Sequence, residues 1–275
     1  MTTRGFRLTL AVAAAAIFSP AQWLHQLDPA TPRTRDGKPN LTAPAPRIKG
    51  KPDLSGVWQT DSSPRKELEP YLLPGGENGL GENDITKYVV NFFADYKFGE
   101  EPFQPGAGDP FRKALQSNAR PSTLCPPPSL PNWDYPPVPF KLIQTPRLLL
   151  WLREEFGTFR QIYLDGRKLP LDPESTWQGY SVGHLEGDTL VVETTGFNAL
   201  SALDGMGHPH SEAMRLTERF RRVDFGHMEL KITVDDPKTY TKPVTVTVSQ
   251  HLLPDTDLLE SFCEPGEKDR QHIGQ

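Results

Sequence analysis

Two histidines and a glutamate alternate in GHPHSE, residues 207–212. On an extended strand every second side chain projects to the same side, so His208, His210 and Glu212 would project together. Two imidazoles and a carboxylate suit zinc or another divalent transition metal. Without a metal, the same histidines can carry protons near neutral pH, with Glu212 as a further ligand or base. Gly207 and Pro209 pull the other way, because proline tolerates only an edge position in a sheet. A polar turn at a sheet rim is therefore the structural alternative. A serine nucleophile at Ser211 is a weaker reading, since no Gly-x-Ser-x-Gly elbow is present.

A second group lies just downstream. In SEAMRLTERFRR (211–222) the even positions carry Met214, Leu216 and Phe220, and Glu218 stands between the last two. A carboxylate on an apolar face takes a partner or is neutralised. The hairpin sequence LLLWLREEFGTFRQIYLD (148–165) offers partners. Glu154 shares a face with Leu148, Leu150, Leu152 and Phe156, and Arg160 with Ile162 and Leu164. A two-residue turn at Gly157-Thr158 sets Glu155 opposite Arg160, whereas a bulge sets Glu154 there. The expectation is a buried polar cluster of Glu154 or Glu155, Arg160 and Glu218, with Arg160 and Glu218 paired. Such a cluster either fixes strand register or faces a ligand. Trp177 and Tyr180 flank a turn, where they line a barrel mouth or pack in the core. Asp165-Gly166-Arg167 reads as a turn, and Asp235-Asp236 supplies few of the oxygens that calcium needs.

These side chains require strands to position them. From residue 140 onward the hydrophobic period is two, in FKLIQT, RLLLWLREEF, TFRQIYLD, YSVGHL, TLVVETT, EAMRLTERFRR, MELKITV, VTVTVSQ and DLLESF. Turn signals separate them, and no long helical pattern intervenes, so an all-β antiparallel meander is expected. Such a sheet removes its edges by closing into a calycin-like barrel or a curled sandwich. One helix is expected at about 84–98, from the apolar stripe Ile85, Tyr88, Val89, Phe92, Phe93 and Tyr96, with Asn83 or Asp84 as its cap. Residues 102–146 hold twelve prolines and read as a wrap with neither helix nor central strand, pinned by Trp133 and Tyr135.

The N-terminus differs in kind. Arg4 and Arg7 precede the apolar run LTLAVAAAAIF (8–18) and the small residues of SPA (19–21), the pattern of a secretory signal peptide. Residues 22–52 read as a flexible leader, 53–265 as a single β-rich domain, and 266–275 as a polar tail. No second long apolar run follows, so no transmembrane segment is expected after cleavage. Removing residues 1–21 deletes two arginines, which leaves 28 basic against 35 acidic residues. That balance disfavours nucleic acid as a partner. The two cysteines, Cys125 and Cys263, are expected to form a disulfide in the periplasm or outside the cell, worth about 4–5 kcal/mol for so long a loop.

The blocks WQGYSVGHLEGDTLVVETTGFN (177–198) and GHPHSEAMRLTERFRRVDFGHMEL (207–230), with TVDDPKTYTKPVTV (233–246), resemble an uncharacterised family of exported bacterial β-rich proteins. The resemblance is dense over about 138–264 and implies a fold and export, but no activity. Leu185 departs from it, standing where that pattern has Trp. Gly56-Val57-Trp58 is loosely similar to the Gly-x-Trp of lipocalin-like barrels, which implies an internal ligand cavity. The expected function is therefore binding of a small, largely apolar molecule in a barrel, with the Glu/Arg cluster orienting it. The alternatives are an enzyme in the same cavity, acting as an acid–base isomerase, cyclase or hydratase or as a metal-assisted hydrolase, and an envelope interaction module. As an enzyme it would use Glu218 as acid or base with His208 or His210.

Overall fold

The computed structural model describes residues 27–71, 89–117, 129–132, 135 and 137–259. The stretch read as a signal peptide, Trp133, Cys125, Cys263 and the stretch read as a polar tail lie outside them. The elements are β1 (Arg47–Ile48), β2 (Lys51–Pro52), β3 (Gly56–Thr60), α1 (Arg65–Leu68), a 3-10 turn (Glu69–Tyr71) and α2 (Asp109–Ser117). Then come β4 (Phe140–Gln144), β5 (Leu148–Arg153), β6 (Phe159–Tyr163), β7 (Tyr180–Glu186), β8 (Thr189–Thr195), β9 (Arg215–Arg222), β10 (His227–Asp235) and β11 (Val244–Leu252).

Nine of these strands close into a barrel in the order β10-β11-β3-β4-β5-β6-β7-β8-β9, so the sheet has no free edge. The expected all-β barrel is what forms. Neighbours pair antiparallel except β6 and β7, which run parallel, with Ile162 opposite Ser181. Residues 164–179 make the crossover that this parallel pair requires. The inward face is continuous around the barrel: Trp58, Leu142, Leu149, Trp151, Ile162, Leu216, Phe220, Leu230 and Ile232 are all buried. Gly56 explains how Trp58 enters. Its φ of +147° suits glycine, and a Cβ there would stand 2.5 Å from Leu252 Cδ1. Among the described residues, no helix is long and apolar enough to cross a membrane.

Three expectations about elements are corrected. Residues 89–98 form loop and turns, not a helix. Val89, Val90, Asn91, Phe92 and Phe93 are buried in succession, while Ala94 and Asp95 are exposed, which is not the pattern of a helical stripe. The Asn91 side chain accepts the Phe93 N–H at 2.9 Å, and Ser63 Oγ accepts the Asn91 N–H at 2.9 Å. Asn side chains compete with helix in just this way. The Pro-rich stretch holds both α2 and β4. Proline excludes regular structure residue by residue: Pro110 sits in the first turn of α2, where no helical N–H is needed, and 140–145 contain none. Residues 257–259, expected to open a last strand, are loop, and β3 completes the barrel instead.

The two ends of the barrel are built differently. Residues 27–52, read as a leader, lie across the β9–β10 end. The Phe225 and Gly226 N–H groups donate to Ala43 and Leu41 carbonyls at 2.8 and 2.7 Å, and Arg33 pairs with Asp255. The opposite end receives the β8–β9 and β10–β11 connections and the exit of β3. There Phe103 bridges to Tyr240, and the Ser63 N–H bonds the Val89 carbonyl. The candidate site is at this second end.

Candidate functional site

Arg160 enters the barrel interior from β6 and Glu218 from β9. Both are essentially without solvent contact, 2% and 0% at the side chain. The guanidinium grips the carboxylate with both terminal nitrogens: Nη1 donates to Oε1 at 2.9 Å and Nη2 to Oε2. A bidentate fork of this kind is the strongest arrangement of the pair. The remaining groups are used as well. Arg160 Nε donates to Ser181 Oγ at 3.0 Å and Nη2 to Thr194 Oγ1 at 2.9 Å, while Tyr135 donates its hydroxyl to Glu218 Oε1 at 2.8 Å. Ser181 and Thr194 face each other across β7 and β8, which is why both hydroxyls reach one guanidinium. The expected interior pairing of Arg160 and Glu218 is thus present.

Glu154 and Glu155 do not join it. Trp151 stands opposite Arg160, and the Arg153 N–H bonds the Thr158 carbonyl at 2.9 Å, so 154–157 form a longer connection than a two-residue turn. Phe156 and Gly157 take positive φ there, at 61° and 55°. The inward face of β5 is Leu149, Trp151 and Arg153, the opposite of the face that carries Glu154. Glu154 instead accepts the Leu259 N–H at 2.9 Å, and burial pushes the Glu155 carboxyl above its ordinary range.

The segment 198–211 between β8 and β9 folds back on itself. Ala202 bridges to Pro209, and the Leu203 N–H bonds the His208 carbonyl at 2.6 Å. The turn between them brings Asp204 under His208. Asp204 Oδ2 lies 2.8 Å from His208 Nδ1, and Oδ1 accepts the Met206 and His208 N–H groups at 3.0 and 3.3 Å. Phe93 and Phe111 cover the two faces of the imidazole, each with its centroid 4.2 Å away, at 36° and 29°. Tyr71 closes the edge at 5.4 Å and 75°. The Tyr71 hydroxyl donates to Glu101 Oε1 at 3.2 Å, and burial with the Glu101 and Asp204 charges pushes its ionisation well upward.

His208 itself is fully buried, and its Nε2 finds no hydrogen-bond partner among the described residues. Asp204 accepts at Nδ1, so Nδ1 holds a proton; in the neutral tautomer assigned from this bonding, Nε2 is a lone-pair acceptor. A buried acceptor without a donor costs about 1–3 kcal/mol, and such groups call for an explanation.

His210 looks elsewhere. Its Nε2 meets Ser201 Oγ at 2.8 Å and its Nδ1 the Ser211 carbonyl at 3.3 Å. Burial holds its pKa below the usual histidine value, with the Ser211 carbonyl and Asp236 opposing. Past His210 the alternation breaks. Asp236 accepts the Ser211 N–H and hydroxyl, both at 2.6 Å, and Ser211 Oγ accepts the Ala213 N–H at 3.1 Å. Glu212 is thereby turned out to solvent. His208, His210 and Glu212 therefore do not converge, and among the described residues no three His, Cys, Asp or Glu side chains are placed to hold a metal. The expected metal set is corrected on that ground.

Tyr180 also misses the interior. Its neighbour Ser181 points inward, so Tyr180 points outward, stacked on Tyr163 at 5.3 Å and bonded to Arg167 Nη1 at 3.0 Å. Trp177 is half-buried, with its carbonyl accepting the Leu130 N–H at 3.0 Å. Sequence reasoning missed Asp204, Ser201 and the rings of Phe93, Phe103 and Phe111. The readable signal was a carboxylate four residues before a histidine across Gly205 and Gly207. Comparison with family models, curated proteins and solved structures finds no match for the chain.

Proposed function

We propose that the chain binds a small, largely apolar molecule that carries one hydroxyl group, at the ring-lined end of the barrel. The observation behind this reading is the buried, unpaired Nε2 of His208 between Phe93 and Phe111. Aromatic walls favour an apolar body, and a single placed polar group sets its orientation. Because Nε2 is an acceptor in the assigned tautomer, the matching ligand group is a donor. The Arg160–Glu218 pair, whose bonds are made to protein groups, then serves as a rigid support below the site. With the Arg4/Arg7 and apolar-run pattern of the N-terminus, the binding takes place in the periplasm or outside the cell.

The Asp204 carboxylate on Nδ1 favours a second reading at the same position, an acid–base enzyme such as an isomerase, cyclase or hydratase. A carboxylate there orients the ring and stabilises the imidazolium formed when Nε2 takes a proton.

The binding reading is tested with 1-naphthol and naphthalene, which differ only by the hydroxyl. Wild-type protein is expected to prefer 1-naphthol by about 5- to 150-fold, the equivalent of one buried hydrogen bond of ~1–3 kcal/mol. His208→Asn keeps an amide N–H donor for Asp204 and removes the acceptor at the Nε2 position, since the shorter amide oxygen does not reach it. It should bind naphthalene as before and lose the preference. Equal affinities in the wild type, or a preference that survives His208→Asn, would contradict the reading.

A further inference from the structure

We propose that Ser201 is a nucleophile activated by His210, able to take an acyl group from a carboxylic ester with an apolar acyl chain. The contact of Ser201 with His210 is made apart from that of Asp204 with the ring-lined His208.

Three observations carry it. The first is the tautomer. The Ser211 oxygen next to Nδ1 is a carbonyl and can only accept, so Nδ1 carries the proton. Nε2 is then the lone-pair nitrogen, and the Ser201 hydroxyl at 2.8 Å donates to it. A serine hydrogen-bonded to a base, with that base oriented by a third group, is the arrangement that activates a hydroxyl. Here a backbone carbonyl takes the place of the usual carboxylate. Burial of the imidazole favours the neutral ring, whose Nε2 lone pair faces the Ser201 hydroxyl.

The second is access. His210 is 6% exposed while Ser201 is only half-buried, so the base is sheltered and the nucleophile is reachable. Leu200, the next residue, is 75% exposed and offers an apolar surface to an acyl chain. The third is rigidity. Asn198 Oδ1 holds the Leu200 N–H at 3.1 Å, and the Asn198 N–H bonds the Thr176 carbonyl at 2.9 Å. With the Ala202–Pro209 bridge, Ser201 is fixed on both sides.

In the reaction, Ser201 Oγ bonds the ester carbonyl carbon and its proton passes to His210 Nε2. The carbon–alkoxy bond breaks, and the alcohol leaves with that proton. Water then attacks the acyl-serine, giving its proton to His210. The acyl–Oγ bond breaks, Oγ regains the proton, and a carboxylic acid departs.

The test uses an alkyl fluorophosphonate on the full chain, followed by peptide mass mapping. Attack breaks the P–F bond, forms Oγ–P and releases fluoride with the serine proton. The expected result is an adduct at Ser201 in native protein and none there in urea-denatured protein. His210→Asn and His210→Gln, whichever folds as judged by melting, should label about 100-fold or more slowly, the range of general-base assistance. Native protein without an adduct at Ser201 overturns the proposal. So does an adduct that forms as fast in denatured protein or in a folded His210 variant.

Discussion

Glu218→Ala and Arg160→Ala should each lower stability by about 3–5 kcal/mol, the cost of stranding one charge of a buried pair. The two side chains are 0% and 2% exposed, and each provides most of the other's compensation. The double variant should lose clearly less than the sum, because neither stranded charge then remains. Replacing both by apolar residues of similar volume is expected to be close to neutral, with the hydroxyls of Ser181 and Thr194 still bonded to each other at 2.9 Å. Tyr135→Phe, which removes the 2.8 Å bond to Glu218, should cost about 1.5–3 kcal/mol. Urea midpoints of the five variants decide this, and additive losses for the pair would contradict the geometry.

Trp58→Ala should cost about 3–5 kcal/mol, as full truncation of a buried aromatic does. The indole is 0% exposed, donates Nε1–H to the Leu54 carbonyl at 3.0 Å, and lies beneath the Arg222 guanidinium at 4.8 Å. Arg222 in turn donates to the Asp53 and Ser55 carbonyls at 2.7 and 3.1 Å, which ties β9 to the entrance of β3. Loss of the ring removes the surface on which that tie rests. Trp58→Phe retains much of the area and should cost markedly less. An unchanged denaturant midpoint for Trp58→Ala would show that the residue does not anchor the barrel.

What could be read from the sequence followed the period of each segment. Leu216, Glu218 and Phe220 alternate without interruption, so their common inward face was legible, as was that of Arg160 and Ile162. The first hairpin was not. Leu148 to Leu152 are apolar at every position, so period gives no face, and Arg153 rather than Glu154 turned inward. The segment 89–96 misled for a related reason. Phe92 and Phe93 are buried in one run with Val89, Val90 and Asn91, and Asn91, not the apolar spacing, sets the backbone. The histidines of GHPHSE stand out in the sequence, yet their partners come from a fold of the loop that no strand period describes. Asp204 and Ser201 reach His208 and His210 only because Ala202 pairs with Pro209. The rings of Phe93, Phe103 and Phe111 are brought to the same place by long-range packing.

That the buried, unpaired Nε2 of His208 receives a ligand is the proposal on which the binding reading rests. It is tested most directly by purifying the full chain from its native host, exchanging it extensively, and extracting it for mass spectrometry beside His208→Asn prepared in the same way. Wild-type protein is expected to release a low-mass, hydroxylated, apolar compound at close to one per chain, and folded His208→Asn to release little of it. Wild-type protein that carries no such compound, or a His208→Asn protein that retains it in full, would contradict the account.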